Sequence, residues 1–104
     1  MAEAFSYKFD TENKLLSFDF ALELATGETI STAISSVIVI DGTDGSASSL
    51  LSGSPTVSGT KVVQRVQGGV AGVTYRLIVT ITTSLSNTLE AIGDLPVTNP
   101  QSVQ

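Results

Sequence analysis

Cysteine, histidine and tryptophan are all missing from this 104-residue chain. Without cysteine there is no disulfide framework, no thiolate metal site and no thiol nucleophile. Without histidine, the usual general base and the commonest transition-metal ligand go as well. Charge is also scarce, at 14% of residues against roughly 25% in soluble domains. The five cations, Lys8, Lys14, Lys61, Arg65 and Arg76, leave a net charge of −5 and are too scattered to track a nucleic-acid backbone. No stretch reaches the roughly eighteen apolar residues of a membrane span. The first ten residues, MAEAFSYKFD, lack the basic region and apolar core of a signal peptide. The expectation is therefore a protein made in the cytoplasm that binds neither nucleic acid directly nor membrane.

What chemistry is left is that of hard oxygen ligands and carboxylates. The ten acids sit in no recognisable acid–base motif, and so short a chain leaves little room for a water-excluding cleft. Asp41 and Asp44, or Asp10 and Glu12 with Asn13, could offer oxygens to calcium, but their spacing fits no calcium loop. Asp and Asn at these places read instead as turn residues. The glycines of GGVAG, residues 68–72, precede a β-branched strand rather than a helix N-terminus, so they punctuate a turn and do not cradle phosphate. No catalytic, cofactor-binding or metal-binding residue is assigned; the chain is expected not to be an enzyme.

Serine and threonine, fourteen and thirteen of them, fill the place of charge and favour pleated surfaces and turns over helix interiors. Such a surface fits an ordinary β domain or one partly covered by partners. Tyr75, Leu77, Val79 and Ile81 alternate with Arg76, Ile78, Thr80 and Thr82, the period of a strand. Phe5, Tyr7 and Phe9, followed by a polar turn and then Leu16, Phe18 and Phe20, predict an N-terminal hairpin. Residues 21–25 are expected to be loop or strand end. Ile30, Ile34, Ile38 and Ile40 share one parity, with Val37 and Val39 on the other, so residues 29–40 predict a central strand buried on both faces in its latter half. Residues 46–59 predict two short edge strands joined at Ser54-Pro55, followed by a valine strand after Gly59-Thr60. Leu89, Ala91, Leu95 and Val97 predict a last strand kinked at Gly93.

Together these predict an all-β fold: a single immunoglobulin-like β-sandwich of about seven to eight short antiparallel strands over residues 1–97, with a mobile polar tail at 98–104. A small barrel is the alternative. Tyr75, early in a late strand, stands where a corner-fixing tyrosine or an ordinary core tyrosine would.

Leu85 lies in SLSN between two strands, where a polar residue or glycine is expected, and marks a candidate contact. Leu50 and Leu51, in a Ser/Gly-rich stretch, have the same status. Phe5 and Tyr7 would serve if the N-terminal segment reaches a neighbouring subunit, and open sheet edges are a further route to pairing.

The stretch GSPTVSGTKVVQRVQGGVAGVTYRLIVTITTS followed by LEAIGDLPV resembles small structural proteins encoded among the virion genes of tailed bacteriophages. The resemblance covers residues 27–97, with GETI, SGSP, GGVAGVTYRL and TTS as its most recognisable pieces. It implies a non-enzymatic, multi-copy virion component without a cofactor, bridging neck or tail proteins and fibers. Capsid decoration as a cement protein is an alternative. Similar Gly-Thr-Tyr strand patterns occur in bacterial immunoglobulin-like repeats, which makes a glycan- or receptor-binding module a third reading, although this chain shows no internal repeat. It departs from the related sequences at residues 84–88, where Ser-Asn stands in place of a Gly.

Overall fold

Alternation along Thr74–Thr83 makes this segment (β7) the middle of the larger sheet. The computed structural model describes residues 2–5 and 7–99. β7 buries Tyr75, Leu77, Val79, Ile81 and Thr83, and turns Arg76, Ile78, Thr80 and Thr82 outward. On one side it pairs antiparallel with Ile30–Asp41 (β4), on the other with Thr88–Thr98 (β8). The second sheet has the order Asn13–Asp19 (β3), Lys61–Gln67 (β6), Leu51–Ser58 (β5), all antiparallel. A single 3-10 turn, Ala47–Leu50, precedes β5.

The fold is an all-β sandwich of two sheets. The orders β3-β6-β5 and β8-β7-β4 are those of the B-E-D and G-F-C strands in constant-type immunoglobulin sandwiches. Between the sheets lie Leu16, Phe18, Val62 and Val66 from the smaller, facing the β7 residues and Ala91, Leu95 and Val97 from the larger. Each such side chain contributes about 1.5–3 kcal/mol when fully buried.

The N-terminal segment corrects the expected hairpin. Ala2–Ala4 (β1) and Lys8–Phe9 (β2) run parallel to β8 rather than antiparallel to β3, and so join the opposite sheet. The turn at residues 10–12, closed by Glu12 N donating to Phe9 O, crosses between layers instead of folding the chain back within one. Not all strands are antiparallel, and β4 and β8, at 12 and 11 residues, are not short. The parity expected for this segment also fails. Lys8 is buried and Tyr7 exposed, because Lys8 Nζ turns inward to donate to the carbonyls of Gly68 (2.6 Å) and Phe9 (2.8 Å). Burial pushes the Lys8 pKa down.

Two further expectations change. β4 is an edge strand, not a central one, and residues 51–58 form one strand whose register slips between Ser52 and Thr56 rather than two strands. Pro55 does sit on that edge, as expected. The mobile tail was expected at 98–104; Thr98 pairs with Phe9 at the end of β8, and residues 100–104 lie outside the described residues.

Gly93 does not kink β8, which passes through it in unbroken register with β7. Its missing side chain makes room instead. A Cβ there would overlap the Phe5 ring and come within 3.0 Å of Phe18 Cε2. The two rings meet edge to face at 5.4 Å directly over this glycine, which ties the N-terminal segment to both sheets. Gly93→Ala is expected to displace Phe5 and cost about 1–3 kcal/mol in urea denaturation. In Phe5→Ala the same substitution should cost clearly less, so a double-mutant cycle checks the contact; additive losses would disprove it.

Candidate functional site

The connections between strands gather at two ends. At one end the 20–29 loop, the turn at Gly59-Thr60 and the β7–β8 hairpin are bonded to one another. Phe20 N donates to Thr60 O, Ser84 N to Thr29 O, and Thr29 N to Ser84 Oγ. Glu28 is the hub of this end. Its buried carboxylate accepts from Ala25 N (2.9 Å) and Asn87 Nδ2 (2.8 Å), and also from Thr83 Oγ1. These donors, the Ala25 backbone amide first, hold its pKa below the ordinary value of 4.5.

The two loops so locked each present a leucine to water. Leu85 is 60% exposed and Leu22, in the turn after Phe20, is 98% exposed. Ser86 beside Leu85 takes a left-handed conformation, φ +64°, a backbone region that favours glycine. An exposed apolar side chain on a loop gains little from folding, and here two lie at the same end of the sandwich.

At the other end Tyr75 does the pinning. Its buried hydroxyl donates to Asp44 Oδ2 (2.6 Å) and accepts from Val70 N (2.8 Å), which joins the loop after β4 to the loop before β7. Burial, with the Asp44 bond second, pushes its pKa up to about 12. Asp44 is correspondingly lowered, chiefly by that bond. Asp44 is thus a turn and lock residue and Asp41 the exposed end of β4, and no group of three or more potential metal ligands occurs among the described residues.

A third feature is the outer face of the larger sheet. Ile34, Ile38 and Ile40 project from β4, at 67%, 48% and 42% exposure. By register Ile38 lies in a row with Arg76 and Asp94, which form a bidentate ion pair at 2.8 and 3.1 Å. The next row brings Ser36, Ile78 and Ile92 together.

Of the residues expected to make contacts, Leu85 and Tyr7 are exposed and lie apart, on the hairpin tip and beside β2. Phe5 packs on the core through Phe18. Leu50 is a core residue, 1% exposed, because the 3-10 turn rolls it between the sheets; that expectation is corrected. Leu51 is half-buried against the same core. Leu22 and the β4 isoleucines were missed. Leu22 carried the same signal as Leu85, an isolated large apolar residue in a loop. The isoleucines looked like burial on both faces.

The family described as Podophage GP4 fiber-tail adaptor protein gp77 matches residues 6–92. The chain belongs to that family. It is a phage tail adaptor, in agreement with the virion resemblance of its sequence. No curated protein and no solved structure matches it. No helix among the described residues of the adaptor is long and apolar enough to cross a membrane.

Two outcomes follow from the locks. Glu28 has a depressed folded pKa, so the stability it adds is complete above 4.5 and lost as pH falls through its lower folded value. Glu28→Gln should flatten that acid limb in urea midpoints taken against pH; an unchanged limb would show that Glu28 is not its source. Tyr75→Phe strands Val70 N and should cost about 1–3 kcal/mol. Because the Tyr75 pKa is raised, its contribution is present below pH 10 and fades as pH rises through about 12, so the variant should lose that alkaline decline.

Proposed function

We propose that the protein is a non-enzymatic virion component that bridges a tail fiber and the tail, present in several copies around the tail axis. Membership of the fiber-tail adaptor family over residues 6–92 carries this reading. A bridge needs two separate surfaces, and the sandwich offers an apolar tip at one end and an apolar strip along one edge. Leu22 and Leu85 form the first, on loops tied together through Glu28 and Thr29, and a tied loop loses less ordering entropy on docking. Ile34, Ile38 and Ile40 form the second. Weak single contacts add up when repeated around a ring, because each bound copy raises the effective concentration of the next. Tyr7, exposed beside the β2 strand, extends the surface available to a neighbouring subunit.

A cryo-electron-microscopy map of the phage particle tests the location: density for the sandwich between fiber and tail is expected, and density on the capsid shell would make it a cement protein instead. The contact residues have their own test. Leu22→Asp with Leu85→Asp should leave stability within about 0.5 kcal/mol, as at other exposed sites, yet lower the number of copies or fibers per purified particle. Full incorporation of the double variant would remove the tip from the bridge.

A further inference from the structure

The four sheet edges are not equivalent. The outer side of β8 is covered by β1 and β2. β5 is broken by its register slip and carries Pro55. β3 is seven residues long and has Lys14 and Asp19 near its ends. These are the devices by which sheets avoid pairing with other chains. Between register shifts at Ser31 and Ile40, β4 has none of them: Thr32–Val39 hold no charge and no proline. Its register with β7 is regular from Thr32 to Val39, and among the described residues its other side pairs with nothing.

Beside that edge runs a groove of about 290 Å³, between β4 and the slipped part of β5. Ala33, Ile34 and Ser35 form one wall, Gly53 to Pro55 the other, with Gln64 beneath. Gln64 is fully buried. Its Nε2 donates to the carbonyls of Gly53 (3.2 Å) and Arg65 (2.9 Å), which fixes the orientation of the amide. Gln64 Oε1 and Ser35 Oγ are then left buried without a partner. Buried polar atoms without a partner are costly, and these two lie side by side at the groove, where a segment that docks and reaches them would supply the missing hydrogen bonds.

We infer that β4 is completed in the virion by an extended segment of a partner protein, which adds a strand to this edge and sets a side chain bearing N–H groups into the groove. This deepens the adaptor reading and rests on it. The free row of backbone amides and carbonyls selects an extended main chain. Gln64 Oε1 calls for a hydrogen-bond donor, which the side chains of a basic segment supply. Ile34, Ile38 and Ile40 select apolar residues at alternate positions of the incoming strand. The net charge of −5 and Asp41 at the end of β4 favour a basic segment. A second copy of this chain fits less well, because it carries the same net charge of −5 and the same Asp41 at the end of β4.

Amide hydrogen exchange followed by mass spectrometry tests this on the free protein and on purified phage particles, with light scattering for the solution mass. A monomer whose 32–39 peptides exchange at least about tenfold more slowly in the particle than in solution supports the inference. Unchanged exchange of these peptides in a particle that contains the protein would overturn it while leaving the adaptor function intact. A solution dimer already protected over 32–39 would overturn it in favour of a second copy. Absence of the protein from the particle would remove the adaptor reading itself. As a second probe, Ile38→Lys places a charge on the edge without entering the core. Loss of the particle-dependent slowing in that variant, at unchanged melting temperature, is the expected result, and its persistence would count against strand addition.

Discussion

A two-layer sandwich covers only one face of each sheet, and in this chain β7 sets which face that is. Tyr75, Leu77, Val79, Ile81 and Thr83 point between the layers, so every strand paired to β7 must bring its own apolar parity to the same side. β8 answers with Ala91, Leu95 and Val97, and leaves Gly93 where two aromatic rings need space. β4 answers with Ala33, Val37 and Val39, which has a consequence for its remaining residues. Ile34, Ile38 and Ile40 are on the opposite parity, and among the described residues no third layer covers them. The surface available for assembly follows from the geometry of the core.

A chain without cysteine must hold its loops by other means. Here one buried polar group works at each end: Glu28 ties the 20–29 loop to the β7–β8 hairpin, and Tyr75 ties the loop after β4 to the loop before β7. Lys8 does the same for the N-terminal segment by capping the Gly68 carbonyl. Each lock makes two or more hydrogen bonds, which offsets the cost of burying the polar group. The result is a small domain whose loops are tied to one another at both ends by hydrogen bonds from buried side chains. At the groove by β4, by contrast, two buried polar atoms, Ser35 Oγ and Gln64 Oε1, are unmatched side by side.

Local patterns were legible in the sequence to the extent that their cause was local. The strands at 74–83 and 88–98, the turn at Gly59-Thr60 and the loop role of Leu85 all followed from side-chain alternation and turn chemistry. The N-terminal hairpin did not form, although its alternation was clear, because β8 offers an open edge more than eighty residues along the chain, and neighbouring parity says nothing about which distant edge is free. Leu50 and Leu85 looked alike as apolar residues among serines. A 3-10 turn drew one into the core and a left-handed Ser86 held the other at a tip.

The absence of histidine and cysteine, the low charge, the β-rich alternation and the resemblance to virion proteins were properties of the sequence itself, and they were sufficient for an all-β structural component. Edge and face were decided only in the tertiary structure. Whether β4 lies at the centre or the rim of a sheet depends on the strands beside it, and those come from residues 74–83, far along the chain. The same isoleucines would be core in a three-layer protein; in two layers they face water, since burial depends on what lies opposite a residue and not on the residue alone.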